Sequence, residues 1–178
     1  MIPPASDPLA VAAKSGDRSA FEALIRREKA GLYAFVRRYV GDADDAYDVV
    51  QDAFVAAWRS LGRYDPARSF PVWLRAIALN KCRDQGRRAK VRRLIMGAFA
   101  SEPTAPAKGD DNPDLLRLDA AIARLPALYK DPLLLTTAGD LSTAEAAQAL
   151  HTTAKAVEMR LYRGRRLLAK LLVEPPEG

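Results

Sequence analysis

One cysteine, Cys82, and one histidine, His151, are the chain's whole supply of soft metal-binding and redox-active side chains. No disulfide can close within the chain, which fits a reducing compartment. A Cys/His metal cluster cannot be assembled either, and no cofactor is implied. With no Gly-rich phosphate loop, little remains from which to build a catalytic site, so an enzyme is not expected. Aromatic residues are scarce, at 7% against 49% hydrophobic. The core must therefore come from Ala, Leu and Val, and a chain rich in Ala and Leu leans to helix. No run approaches the ~18 apolar residues of a membrane span. The first residues, MIPPASDPLA, have neither the basic nor the apolar region of a secretory signal. Those readings predict a cytoplasmic protein with no direct membrane insertion.

What the chain does have is positive charge, 28 Lys and Arg against 22 Asp and Glu, a net +6. A basic balance favours polyanions, but its clustering says more. From Lys81 to Arg93 the chain carries Lys81, Arg83, Arg87, Arg88, Lys90, Arg92 and Arg93 against one acid, Asp84. A block of like charge repels itself unless an anion lies alongside, and a phosphate backbone is such an anion.

The periodicity predicts an all-α chain in two small helical domains. Residues 7–96 form the first, residues 97–112 are a linker of Pro, Ala, Gly and charge, and residues 113–173 form the second. In the first domain Asp17 is a candidate N-cap. Phe21, Leu24, Ile25, Leu32, Phe35 and Tyr39 make a buried stripe, and Gly41 ends the helix. Asp42 opens the next helix, with Asp44 and Asp45 in the first turn, where the helix dipole favours negative charge. Val50, Phe54, Ala57 and Leu61 share its inner face, while Asp45, Asp48, Asp52, Val55 and Arg59 fall opposite. On spacing alone that outer face is simply solvated. RYDPARSF is a loop, and a helix from about Phe70 to Arg93 follows, starting on Trp73, Leu74 and Ile77. Trp73 and Ile77 share a stripe, which assigns Trp73 to packing. Asp84 is expected to pair with a neighbouring Arg, and Cys82 to be half-exposed and passive.

In the second domain Asn112-Pro113 is a helix start and Asp131-Pro132 another. Ser142 followed by Glu145 is a capping box. A short helix with Ala146, Ala149 and Leu150, a turn at His151-Thr152-Thr153 and a longer helix from Ala154 to Leu172 make a helix-turn-helix. The longer helix buries Val157, Leu161, Gly164 and Leu168. It turns Lys155, Met159, Tyr162, Arg163 and Arg166 outward, where long donors reach base edges or phosphates in a major groove. The alternative on pattern alone is a plain helical hairpin with a solvated basic face.

DDAYDVVQDAFVAAW, then FPVWLRAIALNKCRDQGRR, then LSTAEAAQALHTTAKAVEMRLYRGRRLL resemble the bacterial extracytoplasmic-function (ECF) RNA polymerase sigma factors of the sigma-70 family. Within that family the chain looks most like the nickel/cobalt-resistance type. The resemblance implies a factor that binds core RNA polymerase and directs promoter recognition, strand opening and transcription initiation. It implies that Asp45, Asp48, Gln51 and Asp52 contact the clamp helices of the polymerase, which reverses the solvated reading of that face. It places Arg63, Asn80, Arg83, Arg87 and Arg88 along the −10 DNA, and the RYDPARSF loop where the family captures a flipped base. Lys155, Met159, Tyr162, Arg163 and Arg166 would read the −35 element. Lys155-Ala156 stands where many members have Gly-Thr, a departure that falls on the −35 contacts. An anti-sigma factor, often membrane-anchored, is the implied inhibitor. The rival reading, a stand-alone dimeric helix-turn-helix repressor or activator, leaves the acidic helix and its basic successor without a purpose.

Overall fold

The computed structural model describes residues 7–96 and 112–173. The expected linker, apart from Asn112, lies outside the described residues. Eight α-helices are present among these: α1 Pro8–Lys14, α2 Arg18–Val40, α3 Ala43–Ser60, α4 Phe70–Met96, α5 Pro113–Arg124, α6 Ala127–Thr137, α7 Thr143–Ala149 and α8 Ala154–Val173. A 3-10 turn at Leu61–Arg63 leaves α3.

Local chemistry sets most of the boundaries. Each of the first three helices starts on an aspartate whose carboxylate accepts a free backbone N–H. Asp7 takes that of Leu9, Asp17 that of Ala20 and Asp42 that of Asp45. Gly41 closes α2 with φ +86°. Asn112 caps α5 through the N–H of Asp114, with Pro113 at the first helical position. Ser142 and Glu145 cap each other's backbone reciprocally at the start of α7, and Thr153 caps α8 through the N–H of Ala156.

The helices fall into two groups. In the first, α2 packs against α1, α3 and α4, and α3 against α4. In the second, α8 packs against α5, α6 and α7. The groups touch where α2 meets α5 and α6 and where α4 meets α7. The predicted stripe of α2 is buried, Leu24, Leu32 and Phe35 completely, while Ile25 is only partly covered. Tyr64, in the loop before α4, is also fully buried. Its hydroxyl donates to the carbonyl of Arg68 and its own carbonyl accepts from the Lys14 ammonium, so the loop is tied to α1. Gly164 on α8 has a steric reason. A Cβ there would lie 3.1 Å from that of Tyr129, so a larger residue would push α6 and α8 apart.

Three expectations need correction. A separate short helix, α1, precedes Asp17. Its start is set by Asp7 and Pro8, a cap-and-proline signal of the same kind as Asn112-Pro113. Next, α6 begins at Ala127 rather than at Asp131-Pro132, and Pro132 sits inside it. Pro132 removes one helical hydrogen bond, but Pro132, Leu133, Leu134 and Leu135 are buried, and tertiary packing overrides the local penalty. Lastly, Cys82 is 1% exposed, not half-exposed. It follows Ala78 and Leu79 at helical spacing, so it continues their buried stripe. Burial pushes its thiol from an ordinary 9.0 up to about 12, which makes it unreactive at neutral pH.

Candidate nucleic-acid interface

The outer face of α3 is acidic and open. Asp48, Gln51 and Asp52 are exposed and Asp45 is half-buried. Among the described residues none of these carboxylates joins an ion pair. Their negative potential is therefore uncompensated locally and available to a basic partner. Trp58 and Val55, 43% and 47% exposed, sit beside this face. With Phe21, Ile25 and Phe54 they line an open apolar groove of about 510 Å³ between α2 and α3. Trp58 is braced by the Phe21 ring, 4.9 Å away.

The −10 candidates fall on one side of α4 and on the turn before it. Arg63 is exposed on the 3-10 turn. Asn80, Arg83 and Arg87 recur at helical spacing with Arg88 beside them, and Asn80, Arg87 and Arg88 are exposed. Arg87 pairs with Asp84, the pairing expected for that acid. Arg83 is different. It is partly buried, and its Nε and Nη2 donate to the Asp131 carboxylate at 3.1 and 2.5 Å while Nη1 lies 3.3 Å from Asn80 Oδ1. Trp73 packs on Tyr64 and Phe70, with ring centroids 5.0 and 5.6 Å apart, the core role assigned from its stripe.

On α8 the five predicted readers, Lys155, Met159, Tyr162, Arg163 and Arg166, are all exposed. Val157, Leu161 and Gly164 face inward as predicted, and Leu168 is partly covered. The Arg166 guanidinium lies 5.8 Å from the Tyr162 ring, which holds both side chains on the outer face. Lys155 pairs with Glu158 at 3.6 Å, an exposed pair of little energetic weight. The turn from α7 to α8 passes through His151 at φ +50°. That left-handed conformation explains why glycine would suit the position.

The role of polar residues in joining the two helix groups was not foreseen from sequence, although Tyr39, Arg83 and Asp131 were noted there for other reasons. Arg75 and Glu28, 4% and 7% exposed, pair at 2.9 Å, and Arg75 Nε reaches the carbonyl of Gly139 in the second group at 3.3 Å. Asp131, 3% exposed, accepts from Tyr39 Oη at 2.7 Å as well as from Arg83. Arg38 pairs with Asp119 at 2.7 Å. Glu28 could have been noticed, because it stands midway between Leu24 and Leu32 on the buried stripe of α2.

A family model, Sigma-70 region 2, matches residues 24–92, and a second, Sigma-70 region 4, matches residues 115–168. The chain belongs to the sigma-70 family of RNA polymerase sigma factors. As a sigma factor it binds core polymerase and directs promoter recognition and transcription initiation. It is 36% identical to the RNA polymerase sigma factor NccH of Alcaligenes xylosoxydans xylosoxydans over 96% of each chain. It is also 36% identical to CnrH of Cupriavidus metallidurans over 92% of each. Both are ECF factors of the metal-resistance type, the subgroup the sequence resembles. The structure of CnrH in complex with the cytosolic domain of CnrY superimposes with a TM-score of 0.74 at 34% identity, covering 95% of this sigma factor and 97% of CnrH. A Bartonella quintana sigma factor, RpoE in complex with NepR, shares the fold (TM-score 0.72, 22% identity, 86% and 96% covered).

Proposed function

We propose that this sigma factor divides its work among three helix faces. The outer face of α3, through Asp45, Asp48, Gln51 and Asp52, docks on the clamp helices of core polymerase. Arg63, Asn80, Arg83, Arg87 and Arg88 line the path of the opened −10 strand. Lys155, Met159, Tyr162, Arg163 and Arg166 read the −35 element. Residues 7–96 are the polymerase-binding and −10-reading domain, 97–112 the linker, and 113–173 the −35-reading domain. The single observation that carries this reading is the pairing of faces. An unneutralised acidic face on α3 lies one helix before a dense basic helix, and an outward basic recognition helix follows on the same chain. Acidic residues on α3 would repel DNA, so that face suits a protein partner, whereas α4 and α8 suit phosphates and bases.

The factor performs no covalent chemistry; its contribution is positioning and strand capture. Among the described residues no helix is long and apolar enough to cross a membrane. The cytoplasmic location we infer rests on the factor's work with core polymerase. Because CnrH forms a complex with the cytosolic domain of CnrY, a membrane-anchored anti-sigma factor is the inhibitor we infer for this chain too. The test is run-off transcription with purified core polymerase on genomic fragments. Transcripts of defined length should appear only when the chain is added; their absence on every fragment would sink the reading.

A further inference from the structure

We propose that Asp131 on α6 latches the two helix groups together and that the latch withholds Arg83 from DNA. The inference rests on the reading of α4 as a DNA-contacting helix. Asp131 is 3% exposed, and a buried carboxylate must be satisfied by donors. Both of its partners come from the other group. Tyr39 Oη on α2 donates to Oδ1 at 2.7 Å, and Arg83 on α4 donates to Oδ2 through Nε and Nη2. The Lys130 ammonium stands 4.4 Å from the Tyr39 ring and adds a cation–π contact across the same seam.

Two consequences follow from this geometry. A phosphate that took Arg83 would leave Asp131 without its charged partner, so DNA contact at Arg83 and closure at Asp131 compete. The latch is also openable. Charges released from a buried pair regain hydration, so such a pair adds little net stability over the separated, solvated state. Arg87 and Arg88 remain exposed, so closure removes one contact of the −10 path rather than all of them. The free factor is thereby biased against DNA until polymerase draws the groups apart.

The experiment uses the full chain, without polymerase, and a fluorescein-labelled single-stranded DNA of mixed sequence. Asp131→Asn keeps the shape and removes the charge; Tyr39→Phe removes only the hydroxyl and serves as a milder second opening variant. If the free chain is closed about nine-tenths of the time, releasing the latch raises apparent DNA affinity severalfold, below the roughly tenfold limit of a fully masked site, because the closed state still binds through Arg87 and Arg88. The salt dependence of log K should steepen by about 0.7 for one added phosphate contact. The gain should vanish when Arg83→Gln is added to Asp131→Asn, and small-angle scattering should show a larger radius of gyration for Asp131→Asn. Affinity and radius unchanged in both variants, or a gain that survives Arg83→Gln, overturns the latch. Arg88→Ala in the otherwise native chain is the separate check on α4: if it leaves DNA affinity unchanged, the α4 reading fails, whatever scattering reports about Asp131.

Discussion

Replacing Glu28 by alanine strands a guanidinium. Arg75 is 4% exposed. Its charged partner is Glu28, at 2.9 Å, and its other contact is a long hydrogen bond to the Gly139 carbonyl, 3.3 Å. The guanidinium packs over Gly31, where a Cβ would come within 2.9 Å of Nη2, so the side chain uses room that only glycine leaves. Breaking one side of a buried pair leaves an unpaired charge in the interior and costs about 3–5 kcal/mol. Arg27, the other group on Glu28, adds little to this, since it is 42% exposed and keeps Asp7. For a domain assembly of this size, that loss corresponds to a fall in Tm of roughly 6–20 °C. Urea unfolding followed by circular dichroism, with a thermal melt beside it, reads the change. Glu28→Leu with Arg75→Met replaces both ions by apolar groups and should recover most or all of the lost stability. A loss below about 1 kcal/mol for Glu28→Ala, the cost of an exposed pair, would refute the reasoning, as would a double variant less stable than the single one.

Three further outcomes are expected. Gly164→Leu should destabilise by about 1–3 kcal/mol in a thermal melt, through the overpacking of α8 on Tyr129. His151→Gly should raise stability by up to about 1 kcal/mol, because the φ of +50° strains any L side chain, whereas His151→Val should lower it. The Cys82 thiol should resist a disulfide reagent in the folded chain and react on unfolding. Its folded pKa lies above the ordinary one, so its stabilising contribution is complete below pH 9.0 and is lost as pH rises from 9.0 towards about 12. A Cys82→Ala chain, compared by melting across that range, isolates the contribution.

Most helix boundaries set by short-range chemistry were legible, the Asp7-Pro8 start of α1 being the exception. Asp17, Gly41, Asp42, Asn112 and the Ser142–Glu145 box all act within a few residues of their own position. The inner faces of α3 and α8 followed from helical spacing for the same reason. What the sequence hid were side chains whose role depends on a partner far along the chain. Asp131 looked like a helix start because Pro132 follows it, yet its carboxylate is spent on Tyr39 and Arg83, 92 and 48 residues away. Cys82 looked half-exposed because basic residues surround it in sequence, while in space it continues the stripe of Ala78 and Leu79. Arg75 stands three and four residues before Ala78 and Leu79 on that same stripe, but its charge argues for solvent unless the distant Glu28 is known. The acidic face of α3 is a different case. Its exposure was readable from periodicity, but its use was not, since a solvated face and a docking face have the same spacing. Only resemblance to sigma factors separated them.

The central claim is that the acidic face of α3 carries the factor onto polymerase. Its most direct measurement compares the native chain with Asp48→Lys, Asp52→Lys in core-polymerase binding and in run-off transcription. Both substitutions lie at exposed positions, so folding should be untouched and the two melts should agree. The account predicts that the reversed chain loses core binding and initiation together. Native-level binding and transcription from the reversed chain would contradict it.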